Sequence, residues 1–267
     1  MAVDKKFLAR SIQKKTSLIV AYCTFTNMPL VVCDPETFND QVWLFDSEEQ
    51  LQEFAKPYTE QKLLLKGIKY PNKKFLEFFA SLFTIGINEM VFVNSSGKQT
   101  LALEDMVRQP DYSKRPKEQQ PVLNPQLQLT GLYFMQEAGR PVPNEQKTML
   151  PDLEEELSVN LMKARYVVPI ELFDGPESDA EKLQNRKYRL PILKNKNGDI
   201  LQPLFTDPTE LLKFNKENRF RAIVVPFDNL SKLLLKDAKG FLLNPGGFHL
   251  AMPRELLDGL KKNRFEL

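Results

Sequence analysis

Histidine and cysteine are the residues through which this chain could carry out nucleophilic or metal chemistry, and both are scarce. His249 is the only histidine, which excludes a site with two histidine ligands and leaves at most one histidine base. Alternation within residues 248–252 predicts that it lies opposite its apolar neighbours, as a structural or surface residue. Cys23 and Cys33 stand in apolar, strand-like segments without basic neighbours, which is typical of small buried hydrophobes and unreactive thiols.

Glycine and carboxylate pairs could mark phosphate binding or acid–base catalysis. Gly246-Gly247 lies in no GxGxxG or GxxxxGK[ST] pattern, so we predict a tight turn rather than a phosphate cradle. Glu48-Glu49 and the glutamates at 154–156 fall in the first turns of predicted helices, where the helix dipole already accounts for them. The sequence therefore predicts no catalytic, cofactor-binding or metal-ligating residue, and no cofactor.

Basic residues interleaved with aromatic ones could form a nucleic-acid surface, and two such runs occur at 186–189 and 219–221. The net charge is only +2, and residues 164–267 carry 18 basic against 14 acidic side chains, a difference of +4. Because nucleic-acid-binding domains are far more basic, we interpret these runs as solvated faces and expect no nucleic-acid partner.

The composition is typical of a globular chain with a large core. Of 267 residues, 42% are hydrophobic and 27% charged, and 19 are phenylalanine. No run approaches the roughly 18 apolar residues of a membrane span. The charged segment 1–15 lacks the apolar core of a signal peptide, and two cysteines predict no disulfide framework. We therefore expect a cytoplasmic protein that does not contact a membrane.

The clearest internal signal is a repeat at a separation of 150–162 residues. The matched positions are Met28–Val31 with Leu190–Leu193, Leu44-Phe45 with Leu204-Phe205, Leu51 and Phe54 with Leu211 and Phe214, and Asn94 with Asn244. Chance similarity among apolar residues is the alternative. A superposition of the two copies is expected to align Phe45 with Phe205, Phe54 with Phe214 and Asn94 with Asn244.

Helix-start signals repeat with the apolar residues. Ser47 is followed three residues later by Gln50, and Asp207 by Glu210, which is the spacing of a capping box. Pro208 occupies the first helical position, where a missing N–H costs nothing. Both copies therefore predict a strand, a cap and a short amphipathic helix in succession.

The alternation of strands and helices predicts an α+β fold with mixed sheets and packed helices. The predicted organisation is a first unit at 16–107, a linker at 108–163 and a second unit at 164–267. In the second unit we expect a hairpin around Asn197-Gly198, a buried strand at 222–227 and a helix capped by Asp228.

The predicted linker contains two ordered segments. A helix is expected from Asp152 to about Lys163. Residues 127–135 are unusually apolar for their surroundings, and leaving them in water would forfeit several kcal/mol, at about 1.5–3 kcal/mol for each large side chain. We therefore expect this arm to be docked, more readily as an added strand than in another geometry.

The second unit resembles the SseB (enhanced serine sensitivity) family over about 164–262. The residues that carry the resemblance are Arg189–Leu193, Leu204–Pro208 and Gly240–Gly247. The first unit resembles a degenerate copy, in which Asn94-Ser95-Ser96-Gly97 replaces the Asn-Pro turn. The resemblance implies a bacterial protein without an established enzymatic activity.

Three functional hypotheses follow. The first is a non-enzymatic binding or adaptor protein with a protein partner, because duplication leaves one copy free to specialise. The second is a ligand sensor or an enzyme that uses a cleft between the two units, where pockets are common. The third is weak association with nucleic acid.

Overall fold

A computed structural model describes residues 5–116, 119–172 and 188–263. The chain divides into two compact units, the first formed by 1–120 with 125–157 and the second by 121–124 with 158–267. Each unit combines helices with mixed parallel and antiparallel pairing, so the predicted α+β class is confirmed. One helix, α6 (Leu150–Lys163), begins in the first unit and ends in the second.

The first unit is built on a seven-stranded sheet. Its elements are α1 (Lys5–Gln13), β1 (Ser17–Cys23), β2 (Met28–Pro29), β3 (Val31–Cys33), β4 (Asp40–Phe45), α2 (Glu48–Glu60), β5 (Leu65–Pro71), α3 (Phe75–Ile85), β6 (Glu89–Asn94), β7 (Gly97–Ala102), α4 (Leu103–Met106) and α5 (Pro125–Ala138). The sheet runs in the order β2-β1-β4-β6-β7, with β5 on β1 and β3 on β4. Among the described strands of this sheet, only β4 and β6 pair in parallel, and their carboxyl ends therefore lie side by side.

Helix α2 begins as its sequence predicts. The Ser47 hydroxyl accepts from the Gln50 backbone N–H while the Gln50 side chain accepts from the Ser47 N–H, a complete capping box. The helix then places Leu51 and Phe54 on the sheet, where Phe54 lies 5.2 Å from the Phe45 ring at 50°. Tilted aromatic pairs at this distance stabilise a core beyond their buried area.

The apolar arm at 127–135 forms part of helix α5, so the predicted added strand is wrong. Pro125 opens the helix, and Leu127, Leu132 and Met135 are buried in the first unit, where α5 packs against α3 and β3. The backbone groups that an added strand would have paired are satisfied by one side chain: Gln136 Oε1 accepts from the Val31 N–H (2.9 Å) and Gln136 Nε2 donates to the Val31 carbonyl (3.0 Å).

The second unit contains a four-stranded and a three-stranded sheet. Its elements are β8 (Arg165–Leu172), β9 (Tyr188–Arg189), β10 (Leu193–Lys194), β11 (Ile200–Leu204), α7 (Pro208–Phe214), β12 (Arg221–Pro226), α8 (Phe227–Leu233), β13 (Ala238–Leu243), β14 (Leu250–Pro253) and α9 (Arg254–Asn263). The strand orders are β10-β11-β13-β14 and β12-β8-β9. A bridge between Val167 and Phe205 joins the two sheets.

The two units repeat one pairing scheme. In each, the first strand pairs antiparallel with the strand after the capped helix, β1 with β5 and β8 with β12. The parallel pairs β4–β6 and β11–β13 also correspond, and each is followed by an antiparallel partner, β7 or β14. Phe205 and Phe214 lie 5.5 Å apart at 46°, which reproduces the geometry of the first unit's phenylalanine pair.

The predicted alignment of Asn94 with Asn244 is wrong by one residue. Leu44 is in register with Phe92, and Leu204 is in register with Leu243. Phe92 and Leu243 are therefore equivalent, and the position equivalent to Asn244 is Val93. Sequence similarity of the turns concealed this shift, because both turns contain an asparagine.

Two further expectations in the second unit need correction. The strand predicted as buried at 222–227 is the edge strand β12, in which Ala222 and Val224 are exposed. Helix α7 is only seven residues long, whereas α2 has thirteen and packs against the corresponding strand, β5. Helix α8 has Pro226 at its N-cap, so Asp228 lies inside its first turn and does not cap it.

Candidate functional site

The signature residues of the second unit converge where the parallel strands β11 and β13 end. Asn244 Oδ1 accepts from the Thr206 backbone N–H (3.0 Å), and Asn244 Nδ2 donates to the Thr206 hydroxyl oxygen (2.9 Å). The Thr206 hydroxyl donates to Asp207 Oδ2 (2.7 Å). All three side chains are fully buried, so they form a polar cluster that is closed to solvent.

Asp207 links this cluster to helix α7. Its Oδ1 accepts from the backbone N–H groups of Thr209 (2.8 Å) and Glu210 (3.1 Å), which confirms the predicted cap. Glu210, however, does not complete the predicted capping box. Its Oε1 accepts from Lys213 Nζ, and within the described chain its buried Oε2 has no hydrogen-bond partner. Burial raises the pKa of Glu210, against the opposing charge of Lys213.

In the Gly246-Gly247 pair, Gly247 packs closely against Glu210 of helix α7. A Cβ at Gly247 would lie 2.7 Å from Glu210 Oε2, so any larger residue at this position would require the carboxylate to move. The Gly247 N–H donates to the Asn244 carbonyl (2.9 Å) inside the turn. This geometry supports the turn interpretation.

The scarce histidine and cysteines lie in ordinary surroundings. His249 has a left-handed backbone (φ 46°), and its Nδ1 lies 3.3 Å from the Gly247 carbonyl of the same turn. Cys23 is buried, as predicted, but Cys33 is exposed at the end of β3, so the expectation of two buried thiols is wrong for Cys33. Burial and the charges of Asp40 and Asp34 raise the pKa of Cys33, which disfavours the nucleophilic thiolate.

The carboxylate pairs are distributed along helix surfaces. Glu48 and Glu49 lie in the first turn of α2, as predicted. Helix α6 begins at Leu150, two residues before the predicted start, so its first turn contains Asp152 and the glutamates at 154–156 follow it. Within residues 5–116, 119–172 and 188–263, no group of three or more histidine, cysteine, aspartate or glutamate side chains is placed to hold a metal ion.

The basic and aromatic runs are only partly within the described residues. Arg219 forms a two-point ion pair with Glu171, with N–O distances of 2.7 and 3.1 Å, and Phe220 stacks on Phe214. The run at 186–189 begins outside the described residues, which resume at Tyr188. The ion pair of Arg219 reduces the charge that the run at 219–221 offers to a phosphate backbone.

The corresponding strand ends of the first unit are open. A cavity of about 250 Å³ lies there, between α1 and the β6–β7 hairpin. Its lining residues are Phe7, Leu8, Ser11, Lys15, Phe92, Asn94, Ser96 and Gln99. We call this the α1 cavity. Its position is that of ligand sites in many open sheets, beyond the carboxyl ends of parallel strands.

The floor of the α1 cavity is aromatic and nearly neutral. Phe92 is buried, and Lys15 Nζ lies 5.3 Å from its ring centroid. The Lys15 charge is balanced by Asp46, 2.7 Å away at the end of β4. Asn94 is held by the Ser96 N–H (2.8 Å) and by Gln99 (3.4 Å). Lys15 covers the buried Phe92 ring, so the surface that the cavity offers is formed by exposed Phe7 and by neutral amides and hydroxyls.

Phe7 is the most unusual residue of this site. It lines the cavity, yet 69% of its surface is exposed. Sequence reasoning missed this site because residues 1–15 were considered only as a possible signal peptide. The signal was the helical spacing of Leu8 and Ile12, which predicts a helix with Phe7 displaced from its apolar face.

The fold and the match to a family model together indicate the class of protein. The two similarly paired units define an α+β protein whose second unit is closed by a polar turn. Residues 151–258 match the family model "SseB protein N-terminal domain", so the resemblance predicted from the sequence is confirmed over this part of the chain. No curated protein matches the chain.

Two solved structures align with the chain over its length. Tic22 from Plasmodium falciparum is 13% identical over 97% of this chain and 98% of that chain, with a TM-score of 0.20. Tic22 from Anabaena, whose title adds protein transport, is 10% identical over 98% and 97%, also with a TM-score of 0.20. Likenesses at this TM-score carry no argument about this chain. Among the described helices, none is long and apolar enough to cross a membrane.

Proposed function

We propose that this protein is a non-catalytic binding protein that acts as an adaptor for a protein partner. The observation that carries the proposal is Phe7, which is 69% exposed beside the α1 cavity. Burying a phenylalanine contributes about 1.5–3 kcal/mol, so an exposed one beside a cavity is a strong anchor for a partner.

The α1 cavity has room for one side chain of a partner. Small-molecule sites enclose roughly 300–1,000 Å³, whereas this cavity has a volume of about 250 Å³. One apolar side chain of a partner would fill much of it and contact Phe7. The amides of Asn94 and Gln99 would face the partner's backbone.

We assign no catalytic, cofactor or metal role to any residue of the chain. In support, His249 contacts the carbonyl of its own turn, and the raised pKa of Cys33 opposes thiolate chemistry. The buried carboxylate of Glu210 faces Gly247 inside a closed cluster. These groups are engaged in local structure.

We further propose that the protein arose by duplication, with modules at 16–107 and 164–267 joined by 108–163. The shared strand pairing and the two phenylalanine pairs support this proposal. A degenerate first copy would explain why its strand ends hold a cavity while those of the second are filled by Thr206, Asp207 and Asn244.

A bacterial cytoplasm is the proposed compartment. The exposed free Cys33 and the buried free Cys23 fit a reducing environment, since exposed thiols oxidise readily elsewhere. Fractionation of the native cells with the untagged chain tests this. Recovery from the membrane pellet or from an oxidising compartment would contradict it.

Site-specific photocrosslinking tests the adaptor function. A photoreactive amino acid in place of Phe7 should yield discrete adducts with a partner in native cells, whereas the same probe in place of Phe38 should not. Phe38 is a matched control because it is 77% exposed and lies outside the α1 cavity. Equal adducts at both positions, or none at position 7, would remove the proposal.

A further inference from the structure

The solvent face of helix α1 is strongly cationic. Lys5, Lys6 and Arg10 are exposed along it, and Lys14 is exposed directly after its last residue, Gln13. Between Lys5 and Lys15 the sequence contains no acidic residue. This face adjoins the α1 cavity, because Phe7, Leu8, Ser11 and Lys15 of the same segment line it.

The apolar face of α1 is already used inside the first unit. Leu8, Ala9 and Ile12 are 4%, 6% and 0% exposed. A basic helix that binds a lipid surface inserts its apolar face between the headgroups. Helix α1 has no such face to insert without leaving its unit, which argues against a membrane as the partner.

The surrounding charge argues against a long polyanion. Residues 1–107 carry 12 basic and 13 acidic side chains, a difference of −1. Helix α4, which packs against α1, exposes Glu104 and Asp105. On the side of α1 that faces α4, a nucleic acid would therefore meet negative charge.

We propose that the partner's docking segment is a short acidic peptide with one apolar side chain that enters the α1 cavity. This inference rests on the proposed adaptor function. The apolar side chain packs on Phe7, and the acidic residues around it pair with Lys5, Arg10 and Lys14. Lys15 is compensated by Asp46, so the cavity takes an uncharged side chain while the helix face outside it takes the carboxylates.

Electrostatic complementarity of this kind mainly sets specificity and the association rate. Exposed ion pairs are individually weak and screened by salt, with a Debye length near 8 Å at physiological ionic strength. Binding should therefore prefer acidic over neutral flanks and weaken as salt is added.

Fluorescence anisotropy with synthetic peptides tests the inference. The probes are a pool of short peptides, each with one central apolar residue flanked by glutamates, and the same pool flanked by serines. We expect roughly tenfold tighter binding of the glutamate pool, lost in about 0.5 M salt. The double variant Lys5→Glu/Arg10→Glu should lose roughly the same factor.

Lys216→Glu/Lys236→Glu is the matched control, since both lysines are exposed in the second unit and the net charge changes equally. It should bind like the unaltered chain. Equal binding of the two pools, or equal losses in both double variants, would overturn the acidic partner. The acidic partner would also be overturned if the chain bound phosphatidylserine vesicles or single-stranded RNA more tightly than the glutamate pool and the Lys5→Glu/Arg10→Glu change abolished that binding.

Failure of this inference can be separated from failure of the adaptor function. Discrete crosslinks at position 7, with no preference for acidic peptides, would leave the adaptor standing and exclude the acidic segment. Absence of crosslinks at position 7 would remove the adaptor itself. Circular dichroism of each variant confirms that the fold is retained.

Discussion

The Thr206 backbone N–H donates to the side chain of Asn244 across 3.0 Å. At the equivalent position of the first unit, the hydrogen bond joins two backbone groups. There, the equivalent Asp46 N–H donates to the Val93 carbonyl at 3.2 Å. Asn244 has φ 48°, so its backbone has left the strand and its amide supplies the acceptor that the ladder lost. The asparagine thus ends the strand and closes the polar cluster at once.

Replacing Asn244 by alanine should destabilise the second unit by about 2–4 kcal/mol. The change leaves the buried Thr206 N–H without its acceptor and places a non-glycine residue without a local hydrogen bond at positive φ. Chemical denaturation measures the loss. Asn94→Ala, which removes a partly exposed turn contact in the first unit, should cost about 1 kcal/mol or less. Equal losses would contradict the role assigned to Asn244.

Alanine substitutions at Gly247 and at Gly259 test the close packing of the turn. Gly247→Ala places a Cβ 2.7 Å from Glu210 Oε2 and should cost about 1–3 kcal/mol. Gly259 lies inside helix α9 with no heavy atom within 4 Å of its added Cβ, so Gly259→Ala should stabilise by about 0.5–1 kcal/mol. Opposite shifts of the two melting temperatures are expected; a stabilised Gly247→Ala chain would refute the packing argument.

The buried carboxylate of Glu210 should give stability a characteristic pH dependence. Burial raises its pKa, so the folded chain retains this proton to higher pH than the unfolded chain. The free energy of unfolding therefore has a contribution that is complete below 4.5, the ordinary pKa, and is lost as pH rises through the folded pKa. Glu210→Gln removes this loss, and its stability relative to the unaltered chain should increase over that interval.

The carboxylate of Glu49 should give stability the opposite pH dependence, so it serves as a control for Glu210. A hydrogen bond with Ser47 lowers its pKa, so its contribution is present above 4.5 and is lost as pH falls through the folded value. Glu49→Gln should therefore flatten the acid side of the stability profile. Denaturation across the pH range separates the two, and parallel profiles for both variants would contradict the assignment.

Local signals predicted much of the fold because they act within a few residues. The Asn197-Gly198 turn is formed, with Gly198 at φ 82° and Asn195 Oδ1 accepting from the N–H groups of residues 197 and 199. Ser47 and Asp207 cap their helices as their spacing predicts. The phenylalanines that follow them lie on the predicted faces.

Properties that depend on distant partners could not be predicted in this way. The exposure of Val224 depends on the position of β12 at the edge of its sheet, and the burial of α5 depends on α3. The shift at Asn244 depends on strand register, which similar turns do not reveal. The α1 cavity joins α1 to a hairpin some 80 residues later in the chain, and only the folded structure brings these segments together.

The last prediction concerns helix α5, in which the Gln136 side chain forms the backbone hydrogen bonds that an added strand would have formed. Gln136 is buried and bonds both the N–H and the carbonyl of Val31, so Gln136→Ala leaves two buried backbone groups without partners. A loss of about 1–3 kcal/mol is expected. Leu132→Ala, at a fully buried position, should cost about 2–5 kcal/mol by leaving a cavity. Gln126→Ala, at an exposed position of the same helix, should change stability by about 0.5 kcal/mol or less.

Limited proteolysis gives an independent measure: the native chain should resist cleavage within 127–135, and the Leu132→Ala chain should be cut faster there. If cleavage in this segment is rapid in the unaltered chain and all three variants melt together, the segment is a plain linker and its packing contributes nothing to the first unit.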